Sequence, residues 1–537
     1  MPFPPTLLLA VPLAYAGAAL LPEPLFARAP ERRWTVSLAV AALAPVLALV
    51  AAAALAVGGP GVGRLALGGP LGAAASARLD GLTVVMLLLI TAIAAVILRY
   101  SRRYLDGEAG RSRYVRWFLA TMAAVSLLVV TNDLLVLALA WTASSLALHQ
   151  LLTFYGDRPA ALVAAHKKFL VSRVADVAVF GAVALVWRAM GTLQIDAVLA
   201  RAAALRGAPA ALEAAGVLLA VGVILRSAQL PFHGWLIQVM EAPTPVSAFL
   251  HAGIVNIGGF VLIRLAPLVG RAEGAQLLLV VAGAATAVLA ALVMTTRVSV
   301  KVALAWSTGA QMGFMLLECG LGAYGLALLH LVAHSLYKAH AFLGSGRTVE
   351  QQLRRQMAPA PARSTAGDWV VGAVLAGAVV LAVGLGLGLG ADGAVGTQAG
   401  ALILALALAP LFVGGVRGGA GALVRRLGVA VGLAAAYVVG HAAFGALAPA
   451  VPGTPLAQAL RLGVVAAAFL LLYAVQAAIA VRPAGGFARA IYPACFAGFY
   501  LDEIFTRLTF RLWPPRAVSA PAVAGRAAAP ALQELPA

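Results

Sequence analysis

The strongest constraint on this chain is a succession of uninterrupted apolar runs, each about 20 residues long, separated by short loops that hold most of its charge. A helix needs ~20 apolar residues to cross a hydrocarbon layer of ~30 Å. Lipid offers no partner to a backbone N–H or C=O, so only helices and closed barrels can cross it. Barrel strands would read as alternating segments of ~10 residues, and these runs do not alternate. Composition agrees: 63% of the 537 residues are hydrophobic and 11% are charged, against roughly 25% charged in a soluble domain. The expected fold class is all-α, a polytopic transmembrane bundle of about 13–15 helices.

The runs predict spans at about 4–24, 35–57, 79–98, 114–131, 133–155, 169–190, 213–230, 244–268, 275–296, 301–319, 321–345, 369–391, 399–416, 422–447 and 458–481. The run Leu7–Leu21 lacks a basic flank before it and is soon followed by another span, so it reads as a membrane helix rather than a signal peptide. Small residues suit close helix packing in lipid. The net charge of +19 would suggest nucleic acid in a soluble protein. Here no stretch interleaves aromatic and basic residues as a single-strand groove does. The basic residues instead fill alternate loops: Arg28, Arg32 and Arg33; Arg102, Arg103, Arg111, Arg113 and Arg116; Arg158, Lys167 and Lys168; Arg297 and Lys301; Arg347, Arg354, Arg355 and Arg363; Arg425 and Arg426. The positive-inside rule then places the N-terminus outside and the C-terminus in the cytoplasm of a plasma (inner) membrane protein.

Ionisable groups inside a bilayer are functional candidates by default, and here they fall almost entirely between residues 133 and 345. The stretch 226–264, RSAQLPFHGWLIQVMEAPTPVSAFLHAGIVNIGGFVLIR, sets Arg226, His233, Glu241 and His251 around Pro231, Pro243 and Pro245. Broken helices of this kind recur at transporter ion sites. A Pro-kinked helix with satisfied polar groups is the other reading. His251 can titrate near neutral pH. In 301–346, His330, His334 and Lys338 stand at i, i+4, i+8 and share one helix face. Such a row reads as a proton relay; a polar seam between helices is the alternative. Arg173 and Asp176, three apart, form a possible ion pair, structural or tunable. Asp133, His149 and Lys168 lie nearby.

Two cysteines, Cys319 and Cys495, sit far apart in apolar surroundings and suggest neither a disulfide framework nor a zinc site. No metal or other cofactor is expected in this chain. No phosphate loop, dinucleotide fingerprint, nucleophile elbow or HExxH occurs. The chain reads as a transporter subunit rather than an enzyme.

The patterns SAQLPFHGWL…MEAPTPVSAFLHA and VSVKVALAWSTGAQMGFM…HLVAHSLYKAHAFLGSG resemble the proton-translocating subunits shared by complex I, Mrp antiporters and membrane hydrogenases. The resemblance covers about residues 79–346. It implies an antiporter-like bundle with broken helices and a polar axis that moves H⁺ or Na⁺. Arg226, His251, Lys301, His330, His334 and Lys338 would line that cation pathway. Two departures stand out. Thr142 follows Trp141 where complex I members usually carry Glu, and Arg226 stands where they carry Lys. Arg does not release its proton as Lys can. The late membrane Lys of the family has no evident counterpart in the nearly uncharged spans after 369.

These departures, with WTASSLALHQLLTFYGDRPAALVAAHKKFLVSRVAD and YPACFAGFYLDEIFTRLTFRLWP, resemble the DabB family of two-component bacterial inorganic carbon pumps. That resemblance implies a DabA-like partner, a large soluble zinc protein, with which the chain would form a heteromeric complex. Cation flow here, H⁺ first, would then drive CO₂ hydration there. Arg226 and Glu241 would hold the bent region that the partner senses. The alternatives are a subunit of a NADH-quinone oxidoreductase or Mrp-type antiporter complex, and a non-conducting membrane anchor for a soluble enzyme. The implied organisation is N-terminal membrane helices 1–78, an antiporter-like core 79–346, a basic cytoplasmic loop 347–368, C-terminal membrane helices 369–481, an amphipathic cytoplasmic segment 482–515 and a disordered tail 516–537.

Overall fold

The computed structural model describes residues 4–26, 29–66, 74–205, 207–347, 350, 353–354, 357, 364–388, 394–414, 419–448, 451 and 455–512. The predicted disordered tail, 516–537, and much of the predicted loop 347–368 lie outside the described residues. Helices make up nearly all of what is described. The first half contains α1 (Ala10–Leu20), α2 (Pro30–Gly58), α3 (Gly81–Tyr104), α4 (Arg111–Val130), α5 (Leu134–Leu152), α6 (Pro159–Met190), the short α7 (Ile195–Ala204) and α8 (Ala210–Arg226). The centre contains α9 (Gly234–Gln238), α10 (Thr244–Ala252), α11 (Ile257–Arg264), α12 (Ala266–Val269), α13 (Glu273–Met294), α14 (Val300–Gly320) and α15 (Tyr324–Leu343). Then come α16 (Ala366–Gly386), α17 (Val395–Leu408), α18 (Ala420–Gly445), α19 (Pro455–Val481), α20 (Gly486–Phe496) and α21 (Leu501–Leu512).

Ten of the described helices are long and apolar enough to cross a membrane. Each of the fifteen predicted runs coincides with a helix or a broken pair of helices, the ten among them. The chain is a multi-pass membrane protein with an antiporter-like fold. Local chemistry sets several helix starts. The Asp80 carboxylate accepts from the Thr83 N–H at 2.8 Å and starts α3. Asp133 does the same for α5, accepting from the Leu135 and Val136 N–H groups. Pro243 and Pro245 stand at the beginning of α10, where a missing N–H costs nothing and the fixed φ suits a first turn.

Two features were not anticipated. An antiparallel hairpin pairs Gly61–Ala66 with Ala74–Leu79 between α2 and α3. Its strands are mostly small residues without clean alternation, so the sequence offers no strand signal there. The predicted span 244–268 is also broken, at Gly253. The Asn256 amide there donates to the Ala252 carbonyl at 3.1 Å and to Ser335 Oγ at 2.7 Å, which restores hydrogen bonding inside the bundle.

Polar contacts define two ends. At one, Arg33 meets Ser112, Arg102 meets Glu31, Arg113 meets Gln150, Arg158 meets Glu241, and Lys301 meets Thr244. Residues of four of the predicted basic loops thus meet at one end, whereas Lys167 and Lys168, expected in a loop, lie buried along α6. At the other, Arg264 pairs with Asp80 at 2.5 Å and Arg64 with Asp196 at 3.5 Å. Glycine contacts hold the centre together. A Cβ on Gly283 would lie 2.5 Å from the Gly313 carbonyl oxygen and 2.8 Å from the Leu317 nitrogen, so α13 and α14 touch backbone to backbone.

The tail segment 482–512 is helical, and its last helix is pinned to the core. The buried Lys167 ammonium donates to Asp502 at 2.6 Å and to Thr506 at 2.7 Å, and Gln238 donates to the second Asp502 oxygen at 2.8 Å. Phe505 meets the Phe232 ring edge to face. Gly234 leaves the room: a Cβ there would overlap the Asp502 carboxylate. Removing one partner of a buried pair costs about 3–5 kcal/mol. Lys167→Met should therefore detach α21, seen as new protease cleavage between residues 486 and 512 in the purified protein. A cleavage pattern like that of the parent would show that α21 is held by its apolar face alone.

Candidate functional site

The ionisable groups of the bundle form two buried clusters. The first lies between α5, α6 and α8. Asp176 of α6 pairs with Arg226, which ends α8, and with Arg173 one turn earlier at 2.9 Å. Thr142 of α5 donates its hydroxyl to the same Asp176 oxygen at 2.9 Å. The Arg226 guanidinium also donates to the Trp141 carbonyl at 2.8 Å and lies 4.5 Å from the centre of the Trp141 ring. The position after Trp141 is thus not short of a carboxylate. Asp176, from the neighbouring helix, reaches it through the threonine. An Asp–Arg pair occupies the place where a Glu–Lys pair was missed in the sequence. One turn and more below, the buried Lys168 donates to the Ser145 carbonyl at 2.6 Å and hydroxyl at 2.7 Å, within electrostatic reach of Arg226 and Arg173.

The second cluster surrounds the break at Gly253. His251, the last-but-one residue of α10, is fully buried and stacks on Phe342 of α15 at 4.5 Å. Neither of its ring nitrogens has a protein hydrogen-bond partner. The His334 ring lies beside the His251 backbone, with Lys338 close to both histidines. Lys338 itself is fully buried and donates to the Leu304 carbonyl of α14 at 2.9 Å. His330 and His334 have ring centres 6.1 Å apart. At the far end of the row, His330 Nδ1 meets the Glu318 carboxylate at 2.9 Å. The i, i+4, i+8 spacing therefore does bring three titratable groups onto one buried face, and α10 and α14 supply their neighbours.

Other predicted residues lie elsewhere. Lys301, half-buried at the basic end, donates to Thr244 Oγ1 at 2.7 Å, and Thr244 in turn donates to the Tyr104 hydroxyl at 3.1 Å. His233 is buried against the Trp306 ring at 4.8 Å, with Nδ1 3.3 Å from the Pro231 carbonyl. Glu241 is exposed and pairs with Arg158 at 3.7 Å. It does not join Arg226, so the expectation that these two hold the bent region together fails: Glu241 sits in a 3-10 turn facing outward. Pro231 and His233 belong to the turn and short helix between α8 and α10.

Sequence reasoning passed over Glu318, the Lys167–Asp502 pair and the second partner of Asp176. Glu318, 2% exposed, was visible as a carboxylate in the apolar run FMLLECG. Lys167 and Asp502 are 335 residues apart and carried no joint signal. Asp176 was paired only with its helix neighbour because the Arg226 contact crosses between helices.

Residues 67–115 match the family described as NADH-Ubiquinone oxidoreductase (complex I), chain 5 N-terminus, and residues 131–360 match NADH:quinone oxidoreductase/Mrp antiporter, TM. The chain is 40% identical over 439 residues to the "Probable inorganic carbon transporter subunit DabB" of Hydrogenovibrio crunogenus, covering 81% of this chain and 83% of that one. It is 38% identical to "Probable inorganic carbon transporter subunit DabB2" of Halothiobacillus neapolitanus, covering 86% and 83%. The fold is similar to a chain in the Mrp complex of Dietzia sp., with a TM-score of 0.58, 25% identity, and coverage of 95% of this chain and 55% of that one. The chain therefore belongs to the DabB family of inorganic carbon transporter subunits, within the wider complex I and Mrp antiporter group of membrane proteins.

Proposed function

We propose that this chain is the membrane subunit of an energy-coupled inorganic carbon transporter. It conducts a cation, H⁺, through the two buried clusters, and that flow drives CO₂ hydration and bicarbonate accumulation by a DabA-like soluble zinc partner. The observation that carries the reading is the row Lys338–His334–His330, buried in a bundle whose named relatives include carbon transporter subunits. A non-conducting anchor has no need of such groups, because each costs free energy to desolvate.

The chemistry follows from the residues. Arg226 keeps its proton, so Asp176 and Lys168 are the members of the first cluster that can exchange one. A proton on Asp176 leaves two guanidinium groups with less compensation, and the field at Lys168 rises. The second cluster sets imidazoles and an ammonium in a line along one helix. Hydration by itself runs to equilibrium. One charge crossing 100 mV supplies about 2.3 kcal/mol, roughly a 50-fold bias. The basic end faces the cytoplasm of the inner membrane in this reading, with the N-terminus outside and the C-terminus inside.

Gentle detergent extraction from the native membrane should bring along one large soluble zinc protein, identified by mass spectrometry. Recovery of several antiporter or quinone-reducing subunits instead would move the chain to the respiratory branch. Lys338→Ala should abolish carbon uptake while the partner still co-purifies, and normal uptake would take Lys338 out of the pathway. Asp176→Asn strands a buried Arg226 and should cost about 3–5 kcal/mol of stability, read as a lower thermal midpoint in detergent. Uptake by whatever Asp176→Asn protein reaches the membrane should fall at least about tenfold, the scale of a lost proton-transfer group.

A further inference from the structure

We propose that Glu318, Tyr437 and His441 form the outlet limb of the cation path, carrying a proton from His330 to the end of the bundle opposite the basic loops. The inference rests on the reading that the Lys338 row conducts H⁺.

The row runs along the helices rather than across them. Lys338 and His330 are eight residues apart on α15, about 12 Å at ~1.5 Å per residue. Lys338 binds the carbonyl of Leu304, one turn from Lys301 and the basic end. Glu318 lies two residues before the end of α14, close to the opposite end. Its carboxylate takes the His330 contact at 2.9 Å. Arg461 does not neutralise it directly: that guanidinium is buried against the backbone, donating to the Gly320 carbonyl at 3.0 Å and to Ala457. Cys319 and Tyr324 are the other titratable groups nearby.

Beyond Glu318 the limb continues on α18, a helix whose run carries no acidic residue. The Tyr437 hydroxyl and the Leu326 side chain, one turn before His330 on α15, both border Gly400. The hydroxyl is buried, has no protein hydrogen-bond partner, and occupies space that exists only because residue 400 is glycine: a Cβ there would collide with the hydroxyl. One turn further on, His441 stacks on Tyr437 with rings 13° apart and centres 6.3 Å apart. His441 is half-buried, and its Nδ1 is buried without a protein partner. One more turn leads to Gly445. A Cβ on Gly325, at the start of α15, would lie 2.7 Å from the Gly445 Cα, which places this turn at the opposite end.

The transfer balances as a relay. The His330 imidazolium gives its Nδ1 proton to the Glu318 carboxylate. The Glu318 carboxyl passes it to the Tyr437 oxygen as the Tyr437 hydroxyl proton leaves toward His441 by way of water. His441 releases a proton at the surface, and each group returns to its starting state.

A purely structural role for Glu318 would be a buried hydrogen bond gluing α14 to α15, which Gln can keep and a proton relay cannot use. The test is proton flux under an imposed potential, read with a pH dye in liposomes holding the full chain with its native partner. Glu318→Gln should lower flux at least about tenfold, and Tyr437→Phe and His441→Gln several-fold each. Lys338→Ala is the reference block. If the parent conducts and Lys338→Ala blocks it, while the other three variants conduct like the parent, the outlet is overturned and the row stands. A parent that passes no protons overturns both. Should Glu318→Gln fail to assemble, Tyr437→Phe, which removes one oxygen, decides: unaltered flux rejects the limb.

Discussion

Everything polar in this molecule is arranged around one fact: an ionised side chain in hydrocarbon has no solvent, so the protein must supply one. Lys167 finds a carboxylate, Arg226 and Arg173 share another, Lys168 takes two serine oxygens, and Lys338 takes a backbone carbonyl. These choices differ in kind. A lysine paired with a carboxylate acts as a fastener. A lysine held only by neutral oxygens is held less firmly in one protonation state. The same residue type therefore serves as structure at position 167 and as a candidate carrier at 338.

The broken segment serves the same end. A straight helix presents its hydrogen bonds to itself and leaves nothing for a passing ion. Ending α10 at Ala252 and restarting at Ile257 exposes backbone groups at the depth of His251. Asn256 and Ser335 then occupy part of that polar space. The buried polar row and the packing of the bundle thus draw on the same local irregularity, and the surrounding helices keep it from opening to lipid.

The helices were legible because apolar length and loop charge are local properties. Each predicted span meets a helix, and the three-residue row on α15 follows from its period alone. What was not legible depends on contacts between distant segments. Asp176 reaching Thr142, Glu318 reaching His330, and Asp502 reaching Lys167 each need helix packing to be known. The Gly61–Leu79 hairpin escaped for a different reason: small residues paired through backbone leave no side-chain pattern. The departure at Thr142 is the instructive case. Position by position it looks like a lost carboxylate, whereas in space the charge has moved to the adjacent helix.

Lys167 and Lys168 are consecutive on α6, so their side chains leave the helix about 100° apart, given 3.6 residues per turn. One grips α21 through Asp502, and the other faces the Arg226 neighbourhood. A helix cannot turn one of these without turning the other. The helix that fastens the tail and the helix that carries the charge cluster are thus one and the same, with the two tasks a single residue step apart.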